Sequence, residues 1–378
     1  MPGSSSYNGL FREHWSQHVV QEPRCIFHPT SADDVATCIK VLEHFKVPFA
    51  IRSGGHQTAK GASTITNGVL VSLDRLRSIS YNTDEEIVRL RPGNRWYAIY
   101  KYLQPYGKAV TVGHIGVVGC GGQISGGGTS PFLHRQGFSF ANAANFEVSL
   151  EVANSFNPML VIIRLDMRTF PLTGVWGIAK DPGVEMFLGF TQIGEQSYTQ
   201  SEVCADRRGH ADGSCPEVFK PFFDIGLLHN DAHDRTFPDM AISATLDPPP
   251  EFALWFSPHG RMNFAMVTLK LDRAFYSEAI AIFYTTFEPA RRVERAQVSV
   301  HISALQGKTI EHAKTLGGMC AGWTEEDQTF FNMEMVWAKA SDDELMLSLS
   351  RQCVEKLTEA AKLRNVYLPF IWMNKAQT

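Results

Sequence analysis

The sequence lacks most of the features that would place it at a glance. It has no apolar run approaching the length of a membrane span, and no partner membrane is expected. It has no basic run either, and its formal net charge of −4 argues against nucleic acid as a default partner. Its seven cysteines (Cys25, Cys38, Cys120, Cys204, Cys215, Cys320 and Cys353) are odd in number and scattered, which does not define a disulfide framework. Cys204 and Cys215 flank a polar loop at a spacing that allows a bridge, with free thiols as the default. No Cys-x-x-Cys pair is present, so a structural zinc site is not expected. Thirteen histidines are dispersed without the His-x-His or His-Glu-x-x-His spacing that sets metal ligands on one face. No charged-then-apolar leader opens the chain, so a cytoplasmic location is the default expectation.

What is present is an ordinary globular composition, 44% hydrophobic and 20% charged over 378 residues, enough for two domains. Two glycine-rich stretches stand out. Arg52-Ser53-Gly54-Gly55-His56 follows the apolar Pro48-Phe49-Ala50-Ile51, a buried strand by composition. Consecutive glycines let the backbone turn sharply with no Cβ in the way. N–H groups in such a turn can form an anion site, with the Arg52 charge beside it. Gly61 and Ala62 continue the run of small residues. The second stretch, Gly119 to Gly128, holds six glycines in ten residues and reads as a loop too glycine-rich for a helix interior. It is no dinucleotide fingerprint, because Ile124 stands at the third glycine position, and no Gly-Lys-Ser/Thr makes it a P-loop.

Elsewhere the periodicity is clear in parts. Ser31 to Phe45 reads as a helix with Ser31 as N-cap and Asp34 three residues on. Gly68–Leu73 and Glu86–Leu90 read as strands. Pro92-Gly93 turns into a helix over Arg95–Gln104, with Trp96, Ile99, Tyr100 and Leu103 on its buried side. The tract 171–247 is hard to read. Beyond it, strands are predicted at Arg261–Leu271, Gln297–Leu305, Asp327–Ala338 and Val366–Trp372, with helices at Arg273–Phe287 and Asp342–Leu363 between them. Two strand-helix-strand units in succession predict an antiparallel sheet with helices on one face and the other face free to line a pocket.

Taken in order, Arg52-Ser53-Gly54-Gly55-His56, Pro92-Gly93-x-x-Trp96, Val118-Gly119-x-Gly121-Gly122-x-x-x-Gly126-Gly127-Gly128 and Asn142-x-x-Asn145-Phe146-Glu147-Val148 resemble the berberine-bridge-enzyme-like FAD-linked oxidases of the vanillyl-alcohol-oxidase superfamily. The resemblance implies an α+β chain. A two-lobed PCMH-type FAD-binding domain would span 18–172, and a substrate domain with a helix-backed antiparallel sheet would span 173–378. It implies FAD as cofactor, held by Arg52, Ser53, Gly54, Gly55, Gly61, Ala62, Gly93, Gly119, Gly121, Gly122, Gly126, Gly127 and Gly128. His56 would carry a single covalent link to the flavin 8α-methyl. A second link used by some relatives needs a cysteine at the position held here by Ile115, and Cys120 is displaced from it by five residues.

The implied activity is oxidation of a small organic molecule, with hydride passing to flavin N5 and reoxidation by O2, in secondary metabolism. No motif fixes the catalytic base. Glu334 is a candidate by location, with a solvent-facing strand carboxylate as the commoner reading. The sequence also departs from the resemblance. A helix and a glycine-rich turn expected after Glu147-Val148-Ser149-Leu150 have no counterpart, Trp372 stands where a tyrosine is usual, and a closing segment is expected after Thr378. These departures keep open a non-redox descendant whose pocket binds or cyclises a small molecule.

Overall fold

The computed structural model describes residues 7, 9, 12–111, 113–150, 160–171, 184–205, 260–316 and 323–371. Cys215, and with it the pairing with Cys204, lies outside the described residues, as do Trp372 and most of the tract 171–247.

The first lobe is a small parallel sheet with one covering helix. Strand β1 (Cys25–Phe27) leads to helix α1 (Ala32–His44), which returns the chain to β2 (Phe49–Arg52), and β3 (Val69–Ser72) then inserts between them in the order β1-β3-β2. The N-cap is the one expected from sequence. The Ser31 hydroxyl accepts from the Asp34 amide at 3.1 Å, and the Asp34 carboxylate accepts from the Ser31 amide at 3.0 Å. Val35, Ile39 and Leu42 recur at helical spacing and are buried against Val71, Leu73 and Leu76.

The second lobe contains β4 (Ile79–Asn82), β5 (Ile87–Leu90), α2 (Trp96–Leu103), β6 (Lys108–Ala109), α3 (Cys120–Ser125), α4 (Leu133–Gln136), β7 (Ala143–Leu150), β8 (Leu160–Arg168) and β9 (Phe170–Pro171). Its antiparallel sheet has the order β4-β5-β8-β7, with β6 and β9 paired separately. Helix α3 corrects the reading of 119–128 as wholly irregular, because Cys120, Gly121 and Gly122 enter a short helix capped by Gly119. Cys120 and Ile124 are fully buried, and packing against Trp96 and Ile99 holds the turn that propensity alone would not.

The C-terminal half holds, among the described residues, one six-stranded sheet, all antiparallel. Hairpin β10 (Val184–Ile193) and β11 (Gln196–Ala205) precedes β12 (Arg261–Lys270), α5 (Arg273–Thr286), β13 (Gln297–Leu305), α6 (Gly307–Thr315), β14 (Gln328–Trp337), α7 (Asp343–Leu363) and β15 (Tyr367–Leu368). The order is β11-β10-β13-β14-β12-β15. Alternate residues of the central strands, among them Val267, Val300, Met333 and Trp337, meet Phe275, Phe283, Met346 and Leu357 of α5 and α7 in the largest core among the described residues. Each such large side chain taken out of water stabilises the fold by roughly 1.5–3 kcal/mol. One sheet face is thus committed to helices, and the opposite face is turned to the rest of the molecule.

Candidate active site

The separate sequence motifs converge at the end of β2. Gly55 has φ +70°, a left-handed conformation that glycine adopts without strain. A Cβ on Gly54 would stand 2.4 Å from the Gly119 nitrogen, and one on Gly119 would stand 2.5 Å from the Gly54 nitrogen, so two bare backbones cross in contact. The Ser53 hydroxyl donates to the Pro92 carbonyl at 2.5 Å. Gly121 packs against both of those residues, and the Cys120 amide donates to the Asn94 carbonyl at 3.0 Å. The three stretches 52–56, 92–96 and 118–122 therefore form one junction.

Not every glycine of the set meets there. Gly93 lies under the Leu73 and Leu76 carbonyls, where a Cβ would be 2.1 and 2.7 Å away, so packing requires a glycine there. Gly126 caps α3, and Gly127 and Gly128, both at positive φ, accept from the Phe140 and Ser139 amides. Gly61 and Ala62 are exposed in a turn, with open space around the Gly61 Cβ position. Arg52 is buried, and its guanidinium donates to the Ser72 hydroxyl at 3.1 Å and the Glu13 carbonyl at 3.4 Å. Those bonds tie β2 to β3 and to the incoming arm, where the sequence reading had set the charge beside the glycine turn.

His56 follows directly. Its imidazole is stacked on the Trp15 indole, with centroids 4.6 Å apart and planes 23° from parallel. Burial, the neighbouring Arg95 cation and His14 push its pKa down to about 3 against an opposing hydrogen bond to the Val117 backbone. The ring is therefore neutral near pH 7, with a nitrogen lone pair available as a nucleophile. Cys120 is different. Its thiol is sealed in the core with the Arg91 carbonyl 3.6 Å away, and burial pushes its pKa up to about 12. It holds no thiolate for a second linkage.

The helix-free face of the C-terminal sheet lies across from this junction. The register sets Phe264, Glu334, Ser299 and Thr191 in one row and Met266, Asn332, His301 and Gly189 in the next. Glu334, which sequence reading left to solvent, has a side chain only 15% exposed, with an oxygen 3.7 Å from His301 Nε2. Thr191 and Ser299 share a hydrogen bond of 2.9 Å. This polar strip is bounded by apolar clusters on both sides. Trp15 packs against Met262 and Val336 at one end. Phe330, Met266 and Leu305 join Leu133 and Phe138 of the second lobe at the other. The lobes are also joined directly. The Phe264 amide donates to the Thr58 hydroxyl at 3.3 Å, two residues after His56. The Ser16 hydroxyl donates to the Met262 carbonyl at 2.9 Å and accepts from its amide at 2.7 Å.

These residues fit a flat dinucleotide cofactor. Bare glycine backbone is exposed at Gly122, where nothing stands within 4 Å of a Cβ position. A neutral imidazole stands beside the junction, and Asn332 on the facing sheet has a buried amide oxygen with no partner among the described residues. Among the described residues no group of His, Cys, Asp and Glu is placed to hold a metal ion, and no helix is long and apolar enough to cross a membrane.

Residues 23–153 match the family described as FAD binding domain. The fold and the junction are those of PCMH-type FAD-linked oxidoreductases, which the chain resembles over its length. It is similar over 98% of its length to the bifunctional solanapyrone synthase of Alternaria solani, at 25% identity across 77% of that protein. It is 26% identical to the FAD-dependent monooxygenase prx3 of Penicillium roqueforti, over 99% of this chain and 82% of that one. In fold it resembles berberine bridge enzyme with a TM-score of 0.72 at 13% identity, covering 100% of this chain and 84% of the other.

Sequence reasoning missed Trp15, His301 and Asn332. The last two carried a signal in the polar alternation of β13 and β14. Trp15 carried none, because its contact with His56 exists only in the folded chain.

Proposed function

We propose that this protein oxidises a small organic molecule of secondary metabolism, using FAD attached through His56. FAD, when bound, would supply a two-electron acceptor for substrate hydride, and O2 would take the two electrons on with two protons as hydrogen peroxide. The observation that carries the reading is the position of a neutral His56 at the glycine junction, bridged by Trp15 and Thr58 to the polar strip of the sheet. Gly54, Gly119 and Gly121 hold the junction close, and exposed Gly122 leaves its backbone open to the cofactor. Glu334 is our choice of base: it is the one carboxylate in the two central rows, with His301 beside it to orient it. Neither nucleic acid nor membrane enters this reading.

The test is acid precipitation of the purified protein with absorption spectra of pellet and supernatant. Yellow colour retained in the pellet, and lost in His56→Ala, is expected. Colour released to the supernatant refutes the linkage, and a folded protein that takes up no offered FAD refutes the oxidoreductase reading. For the base, Glu334→Gln should retain flavin and lose roughly 100-fold or more in turnover.

A second reading, a cofactor-free protein that binds or cyclises a small molecule, is favoured by one observation. The alignment with the Penicillium relative runs over 434 positions against a chain of 378, so several dozen residues of that relative have no counterpart here. The same spectra decide between the two.

A further inference from the structure

The polar strip also restricts what it can receive. Asn332 is 8% exposed, and its Oδ1 is buried with no hydrogen-bond partner among the described residues. A buried amide oxygen without a donor is costly to a fold. On a face turned toward a cofactor junction, it marks where a ligand's hydrogen belongs. By register, Asn332 is flanked by His301 on one side and Met266 on the other, and Glu334 lies one row along. Both Glu334 and the Asn332 oxygen accept hydrogen bonds. No lysine or arginine occupies this face on the four central strands, from Gly189 on β10 to Thr268 on β12. Phe264, Met266 and Phe330 give the strip its apolar border.

We infer that the site takes an uncharged, largely apolar molecule that presents a hydroxyl or amine hydrogen to Asn332, and that it rejects carboxylates and phosphates. An anion would meet the Glu334 carboxylate on a face whose described central strands carry no lysine or arginine to offset it. A molecule of the same shape without the hydrogen would leave Asn332 unpaired, and sites built around one hydrogen bond discriminate sharply on that ground. The inference rests on the reading of this face as the substrate wall.

The experiment is titration calorimetry on the protein as purified, with 2-naphthol, 2-methoxynaphthalene and 2-naphthoate as probes of one ring and three chemistries. Naphthol should bind about ten-fold or more tighter than the methyl ether, and naphthoate more weakly than either. Asn332→Leu should bring naphthol down to the level of the ether and leave the ether within about two-fold. Glu334→Gln should strengthen naphthoate binding, an arm that stands even where Asn332→Leu fails to fold. Equal binding of naphthol and its ether, preference for naphthoate, no binding of any probe, or an unchanged preference in a folded Asn332→Leu protein overturns the inference. Flavin content is read on the same sample by absorbance. A flavin-free protein that still ranks the probes as expected therefore sinks the oxidoreductase reading alone.

Discussion

The Trp15 indole lies flat against the His56 imidazole, 4.6 Å between centroids, and the Trp15 amide donates to the Gly55 carbonyl at 2.9 Å. One residue thus fixes both the plane of the histidine ring and the backbone just before it. Aromatic pairs of this kind contribute roughly 0.5–1.5 kcal/mol beyond their buried area. Replacing Trp15 by Ala should lower the melting temperature by a few degrees and reduce the fraction of flavin kept in the acid pellet. Full retention of pellet colour in a folded Trp15→Ala protein shows that the ring needs no such support.

The glycine junction allows a paired test. Gly54→Ala forces a methyl group to within 2.4 Å of the Gly119 backbone. It should cost about 1–3 kcal/mol in urea unfolding as well as flavin. Gly122→Ala meets nothing within 4 Å and replaces a helix glycine, so its stability should match or exceed wild type. Any loss of flavin in that variant then reports cofactor lying against the exposed backbone.

Two histidines make the fold acid-sensitive. Burial pushes His18 to about 4 and His56 to about 3, from an ordinary 6.5. Below pH 6.5 the unfolded chain takes up protons that the folded chain refuses. Their stabilising effect is therefore complete above that pH and is lost as pH falls toward 4 and then 3. Urea midpoints should drop between pH 7.5 and pH 5. His18→Gln should flatten that slope, by at most roughly 1.4 kcal/mol per pH unit. An unchanged slope means that His18 charges freely in the folded protein.

The buried thiols should be silent. Cys120 and Cys353 are both pushed up to about 12 by burial. Iodoacetamide at pH 8 should leave both unlabelled in the native protein and label both in urea, as peptide mass spectrometry would show. Rapid native labelling of Cys120 would mean that the turn above it opens.

The legible parts of this fold were those in which one local pattern decides the outcome. The Ser31 cap, the alternation of Gln297–Leu305 and the long helix after Asp342 each bury a face that spacing alone reveals. The short helix at Cys120 was hidden, because its glycines oppose helix and only its packing against Trp96 and Ile99 forms it. Glu334 shows the other limit. Alternation places it on the polar face of β14, but what covers that face comes from a distant part of the chain. A carboxylate that sequence leaves to water is in fact mostly enclosed. The glycine motifs pointed to a junction, yet they did not separate Gly54, which touches Gly119, from Gly93, which serves the packing of Leu73 and Leu76.

Ser16 grips both backbone polar groups of Met262, 246 positions further along the chain, and the Gln17 amide holds the Gly260 carbonyl beside them. In mechanical terms this is a stitch. A load drawing the lobes apart along this edge would have to break those buried bonds before the histidine turn could leave the sheet. Until then His56 and the polar strip hold their spacing, whatever happens at the outer rim.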